Sequence, residues 1–160
     1  MEFLYLRPAA MEDRQLLFDW RNDPLVRQNS FTTDPIPWED HVKWFARMMA
    51  DPQTRQYILI AAEAENTGVP VGQIRLNACE ENPSAYEISY SVAAEARGRG
   101  YGRRLLETIK GKAPQDLPRI RTLIGRVKKD NPASAAAFRA AGYSCEETES
   151  CYVFTFFIFR

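Results

Sequence analysis

The run Arg97-Gly98-Arg99-Gly100-Tyr101-Gly102-Arg103-Arg104 has the residue types and spacing most suggestive of chemistry in this chain. Glycine lets the backbone adopt φ > 0 and approach a ligand closely. A helix beginning here would aim free N–H groups and the positive end of its dipole at an anion, which suits phosphate. Arg97, Arg99, Arg103 and Arg104 would add charge-assisted contacts to a pyrophosphate or a ribose phosphate. Two known phosphate patterns do not fit. The spacing is G-x-G-x-G rather than G-x-G-x-x-G, and there is no GxxxxGK[ST]. One Arg-Gly-Arg-Gly between a strand and a helix does not make an RNA-binding RGG segment.

A second group of candidates surrounds this loop. Glu87 lies on the strand leading into it. A carboxylate there is either a general base, acting directly or through water, or an exposed strand residue pairing across the sheet. Alternation places Glu87, Ser89 and Ser91 on one face and Ile88, Tyr90 and Val92 on the other, and a bulge near Val92 would change that parity. The only histidine, His41, reads either as a packed, hydrogen-bonded residue or as one that binds an acceptor or relays a proton. A single histidine excludes a His-rich metal site. Cys79, Cys145 and Cys151 are odd in number and lack CxxC spacing, which argues against a disulfide framework and a zinc knuckle. No metal is expected.

These residues need a scaffold, and the pattern supplies alternating strands and helices. Strands are expected over 3–7, 56–62, 69–79, 85–92, 120–127, 143–147 and 151–159, with a turn at Asn66-Thr67-Gly68. Helices are expected over 11–20, 38–49 and 100–112, and again from Asn131-Pro132 to Gly142. In the last of these Asn131 is the cap, Pro132 fills the first turn and Gly142 is the C′ residue. Asp23-Pro24 reads as a breaker and 29–37 as loop. Trp38, Val42, Phe45 and Met49 form the apolar stripe of their helix, widened by Trp44 and Met48, with His41 on its rim. Trp38, Trp44 and Phe45 read as core rather than as a base-stacking platform. Three consecutive strands suggest an antiparallel meander. The whole reads as a single α/β (α+β) domain over 1–160 around a mainly antiparallel sheet.

Composition sets the outer limits. The chain has 160 residues with 21 Lys+Arg against 21 Asp+Glu, a net charge of 0. A domain of this size buries roughly 70% of its unfolded surface and needs no staple. Neutrality argues against bulk capture of nucleic acid or of an anionic membrane. No run reaches the ~18 apolar residues of a membrane span, and no secretory signal is visible. A cytoplasmic protein is expected. Lys110 joins the four loop arginines, with only Glu107 opposing them, so the proposed phosphate site is locally basic.

Arg97-x-x-Gly100-x-Gly102 after a strand ending at Val92 resembles motif A of the GNAT superfamily of N-acetyltransferases. Asn131-x-x-Ser134-x-x-x-Phe138-x-x-x-Gly142-Tyr143 resembles the family's motif B, in the family's order and separation. The resemblance implies a mixed, mainly antiparallel sheet of six to seven strands flanked by about four helices. It also implies two strands that splay to admit acetyl-CoA. Backbone groups of Tyr90, Ser91 and Val92 would pair with the pantetheine arm. The Arg97-Gly98-Arg99-Gly100-Tyr101-Gly102-Arg103 segment would hold the pyrophosphate. Asn131, Ser134 and Phe138 would line the rest of the cofactor site. Many family members carry Tyr where this chain has Phe138, and that Tyr is their usual proton donor. Phe cannot donate, so Tyr143, Tyr152 or Tyr90 would serve instead, or water would.

Trp20-Arg21-Asn22-x-Pro24, followed by Asp40-His41 and Trp44-Phe45, is similar to the nucleotide-sugar N-acetyltransferases of pseudaminic acid biosynthesis. It departs where Asp40 replaces the Glu nearest His41, although Glu39 adjoins it. This similarity implies acetylation of the 4-amino group of a nucleotide-linked deoxy amino sugar, with Arg21, Asn22 and His41 at the acceptor. Arg21 and Asn22 read equally as residues that cap their helix. Two alternatives stay open. One is acetylation of protein N-termini or another small amine, and the other is a non-catalytic acyl-CoA-binding module. The apolar C-terminal strand suggests a homodimer formed by adding that strand to a partner's sheet.

Overall fold

The computed structural model describes residues 2–64 and 67–158. Asn66, from the expected turn, and the last expected strand residue, Phe159, lie outside the described residues. In chain order the elements are β1 (Phe3–Pro8), α1 (Arg14–Arg21), α2 (Pro24–Asn29), α3 (Trp38–Ala50), β2 (Thr54–Ala62), β3 (Val69–Ala78) and β4 (Ala85–Val92). Next come α4 (Tyr101–Asp116), β5 (Thr122–Lys128), α5 (Pro132–Ala140), β6 (Ser144–Glu147) and β7 (Cys151–Phe157).

The seven strands form one sheet in the order β1-β2-β3-β4-β5-β7-β6. Among the described residues only β4 and β5 run parallel; every other neighbouring pair is antiparallel. β2 shows why the sheet is covered on both sides. Tyr57 and Leu59 pack with β3, β4 and α4, whereas Ile58 and Ile60 pack with Leu17 of α1 and Phe45 and Met48 of α3. An apolar run buried on both faces is what a central strand needs.

The expected order holds, with one addition and several corrections. Asp23-Pro24 does end α1, and it also starts α2. Asp23 Oδ1 accepts from the amides of Leu25 (3.0 Å) and Val26 (3.2 Å), with Pro24 in the first turn. The α3 stripe is rotated by about one residue. His41, Phe45 and Met48 are buried, Met49 is exposed, and His41 lies at the centre rather than on the rim. α4 runs one turn past the expected end, through Pro114. Ala113 and Leu117 are seated in the core there, and their burial outweighs a missing N–H donor near a helix end.

β7 does not lie at the sheet edge. It pairs with β5 on one side and with β6 on the other, so residues 151–157 cannot add to a partner's sheet. That correction removes the basis of the expected strand-swapped contact.

Candidate active site

β4 and β5 pair only from Ala85↔Thr122 to Ile88↔Gly125. Beyond that point Ser89–Val92 still pairs with β3, and Arg126–Lys128 still pairs with β7. The two strands therefore part in mid-sheet. The cleft that opens there has a volume of about 1190 Å³, above the roughly 300–1,000 Å³ of a one-ligand pocket. It has room for two reactants. β3 and β4 stay in one register from Gly72↔Val92 to Ala78↔Tyr86, so the expected parity of Glu87, Ser89 and Ser91 survives without a bulge.

One half of the cleft is built on the glycine loop. Gly98 (φ 82°) and Gly100 (φ 81°) are both left-handed, a conformation costing other residues about 1–2 kcal/mol. The first amide after the loop to find a backbone partner is that of Arg104, which donates to Gly100 (3.2 Å). Among the described residues, the amides of residues 98–103 have no partner. They lie at the positive end of the 16-residue α4, so the loop offers a row of donors to an anion.

The arginines do less than expected. Arg97 donates to Asp23 Oδ1 at 2.8 Å and ties the loop to α2. Arg103 lines the cleft and lies 3.4 Å from Glu107, while Arg99 and Arg104 do not line it. Tyr101 borders the cleft, but its ring is buried and its hydroxyl donates to Glu2 at 2.9 Å.

α5 closes this half. Asn131 caps it, with Oδ1 accepting from the Ser134 amide at 3.2 Å. Ser134 Oγ is hydrogen-bonded to Tyr90 Oη at 2.7 Å, which bridges α5 to β4. Burial holds the Tyr90 phenol above its ordinary pKa. Phe138 is buried at the back of the cleft, stacked on Phe154 with ring centroids 4.8 Å apart.

Tyr143 is corrected as a site residue. Gly142 (φ 88°) donates to Arg139, and the Tyr143 amide donates to Phe138 (3.1 Å each), which is the Schellman closure of α5. This geometry turns the Tyr143 ring inward against Phe138, 5.1 Å between centroids. Its hydroxyl donates to the Leu106 carbonyl at 2.9 Å, in the core and away from the cleft.

The other half is floored by the polar face of the sheet. Gln56 Nε2 donates to Gln73 Oε1 (2.8 Å), and Gln73 Nε2 donates to Ser91 Oγ (3.1 Å). Glu87 Oε2 lies 2.7 Å from Arg126 Nη1 across the splay, both side chains part-exposed. The pairing alternative read for Glu87 is therefore realised, and Glu87 also lines the cleft. Arg21 lines the cleft from α1, its Cζ 4.0 Å from the centroid of Trp44.

Asn22 and His41 are also corrected as acceptor ligands. Asn22 donates through Nδ2 to the Ile36 carbonyl (2.9 Å) and accepts the Ile36 amide on Oδ1 (2.7 Å), so both ends clamp the loop after α2. His41 is fully buried and does not line the cleft. The sequence reading missed Gln56, Gln73, Arg75 and Arg126. The available signal was a set of polar residues alternating along otherwise apolar strands.

A family model described as "Acetyltransferase (GNAT) domain" matches residues 4–144. The chain belongs to the GNAT acetyltransferase family. The GNAT chain is 27% identical over 107 residues to the uncharacterized N-acetyltransferase YfmK of Bacillus subtilis (strain 168), a match covering 67% of this chain. It spans 66% of that relative's length, just under two thirds. In fold it is similar to spermidine N-acetyltransferase from Vibrio cholerae, solved in complex with CoA and spermine. There the TM-score is 0.84 at 14% identity, over 97% of this chain and 95% of that one. It is also similar in fold to the aminoglycoside acetyltransferase AAC(6')-Ib, solved with paromomycin and acetyl-CoA. There the TM-score is 0.76 at 17% identity, over 95% of this chain and 91% of that one.

Proposed function

We propose that this GNAT protein is an acetyl-CoA-dependent N-acetyltransferase. Its proposed acceptor is a primary amine, the 4-amino group of a nucleotide-linked deoxy amino sugar. The observation that carries the cofactor assignment is the row of unpartnered amides from residues 98 to 103, where the sheet splays. The residues there fit acetyl-CoA. The amides and Arg103 would hold the pyrophosphate, and the β4 backbone from Tyr90 to Val92 would take an extended arm. Asn131, Ser134 and Phe138 would close around it.

When bound, acetyl-CoA supplies the acetyl group as an activated thioester. A backbone N–H near Val92 would face the developing oxyanion. Glu87, on the same strand and facing the cleft, would take the proton from the amine, directly or through water. Phe138 has no proton to give. Of the three candidate tyrosines only Tyr90 lines the cleft, and its raised pKa keeps the phenol protonated as a donor.

The acceptor reading rests on the Trp20-Arg21-Asn22-x-Pro24 and Asp40-His41, Trp44-Phe45 similarities. Arg21 and Trp44 line the cleft, while Asn22 and His41 hold the surrounding elements in place. CoA-thiol release should be assayed with a UDP-linked 4-amino sugar, a peptide with a free N-terminus and spermidine. Release with the sugar nucleotide is the expected result. Acetylation of the peptide alone would overturn the acceptor. Acetyl-CoA binding with no release from any amine would leave a binding module instead of an enzyme.

A further inference from the structure

Arg75 is a residue of this cleft that neither the cofactor site nor the proton path uses. It lies on β3, opposite Ser89 of β4, and lines the acceptor half beside Arg21. Both guanidiniums pack on the same indole. Cζ of Arg21 is 4.0 Å from the Trp44 ring centroid, and Cζ of Arg75 is 4.9 Å from it. Among the described residues, neither arginine makes an ion pair.

Each has one neutral side-chain partner. Arg21 donates to His41 Nδ1 at 2.9 Å, and Arg75 Nε donates to Asn77 Oδ1 at 2.9 Å. A guanidinium has five donors, so most of theirs remain unused. Glu87, the carboxylate on this wall of the cleft, is already engaged by Arg126 at 2.7 Å. Burial pulls Arg75 down to about 10; the charge of Arg21 adds to the effect and that of Glu87 opposes it. Burial lowers Arg21 as well.

Two part-buried like charges cost free energy in the cleft, and the nearby carboxylate, Glu87, is shared with Arg126. A paired guanidinium normally recovers that cost from a carboxylate or phosphate held by parallel N–H donors. The fixed indole beneath both groups keeps them aimed, which reduces what ordering them would cost.

We infer that Arg21 and Arg75, seated on Trp44, form a receptor for an anionic group of the acceptor, a phosphate or a carboxylate. The amine substrate is thus one that carries negative charge, and a polycationic amine meets like charge here. The inference rests on the reading that this half of the cleft holds the acceptor. His41 is a positioning residue for Arg21 and does not touch the ligand.

The test is calorimetry on the full chain saturated with CoA, so that the cofactor half is filled. The probes are UDP for the phosphate source, succinate for the carboxylate source and spermidine for a polycation. Binding of UDP or succinate, with none of spermidine, is expected, and which anion binds identifies the source. Arg75→Gln should weaken that binding tenfold or more, with CoA affinity unchanged within twofold. Arg21→Gln should do the same. No binding of either anion, undiminished binding in both variants, or tighter binding of spermidine would each overturn the proposal. Anion binding lost in the variants, with no amine acetylated, keeps the receptor and removes the transferase reading. Acetylation that favours polycations removes the receptor and keeps the transferase.

Discussion

Arg21 donates from Nη1 to Nδ1 of His41 at 2.9 Å, while Nε2 of His41 contacts the Arg14 carbonyl at 2.8 Å. A guanidinium and a carbonyl fix the roles. Nδ1 accepts and Nε2–H donates, so the ring is neutral. Burial, aided by the Arg21 charge, holds its pKa below the ordinary 6.5. The unfolded chain therefore takes up a proton at a higher pH than the folded one does. This stabilising contribution is fully present above about pH 6.5 and shrinks as pH falls below it. Thermal melts at pH 7.5 and 5.5 should show a larger loss in the native chain than in His41→Gln, which has nothing to titrate there. Equal losses would show that His41 is not the sensitive group.

The same pair shows what the sequence could reveal and what it could not. Strand order, the Asn131 cap and the Gly142 end were legible because each follows from local chemistry. Asp23-Pro24 has the same cap-and-proline signature as Asn131-Pro132, but α2 is only six residues long and has no apolar stripe to distinguish a helix start from a break. His41 was placed on the rim because periodicity counts a histidine as polar. Its burial depends on Arg21 and Arg14, which are distant in the chain. Arg75 was overlooked for a similar reason. The alternation of Gln73, Arg75 and Asn77 marks a polar face of β3, but only the register that sets Arg75 opposite Ser89 brings that face to the cleft. For Tyr143 the sequence shows the residue type that could donate a proton but not the direction of its side chain, which the Schellman closure of α5 sets.

Gly125 lies directly under Phe138. A Cβ at Gly125 would stand 2.2 Å from Phe138 Cζ, and Phe138 is itself held against Phe154. Gly125→Ala should therefore destabilise by about 1–3 kcal/mol through overpacking, read as a lower denaturant midpoint at unchanged m-value. Because β4 and β5 stop pairing at Ile88↔Gly125, the same change should also disturb acetyl-CoA binding. An unaltered midpoint would mean that Phe138 repacks freely.

Gly100 tests the anion loop. Its Cβ position meets no neighbouring atom within 4 Å, so a side chain there has space, and the penalties are its positive φ and any charge introduced. Gly100→Ala should cost about 1–2 kcal/mol of stability and weaken acetyl-CoA modestly. Gly100→Glu places a carboxylate beside the free amides and should weaken acetyl-CoA at least tenfold by calorimetry. Equal affinity in the two variants would remove the pyrophosphate from this loop.

Glu87 separates chemistry from architecture. Its ion pair with Arg126 is part-exposed, at 41% and 44% for the two side chains, so the pair itself contributes only about 0–1 kcal/mol. If the pair were merely architectural, Glu87→Gln and Arg126→Met would behave alike, with small losses of stability and little change in kcat. A general base predicts a split. Glu87→Gln should lower kcat about 10²–10⁴-fold with the KM for acetyl-CoA unchanged, whereas Arg126→Met should retain most of the turnover because the carboxylate remains. Matching kcat values in the two variants would assign proton removal to another group or to water in the cleft.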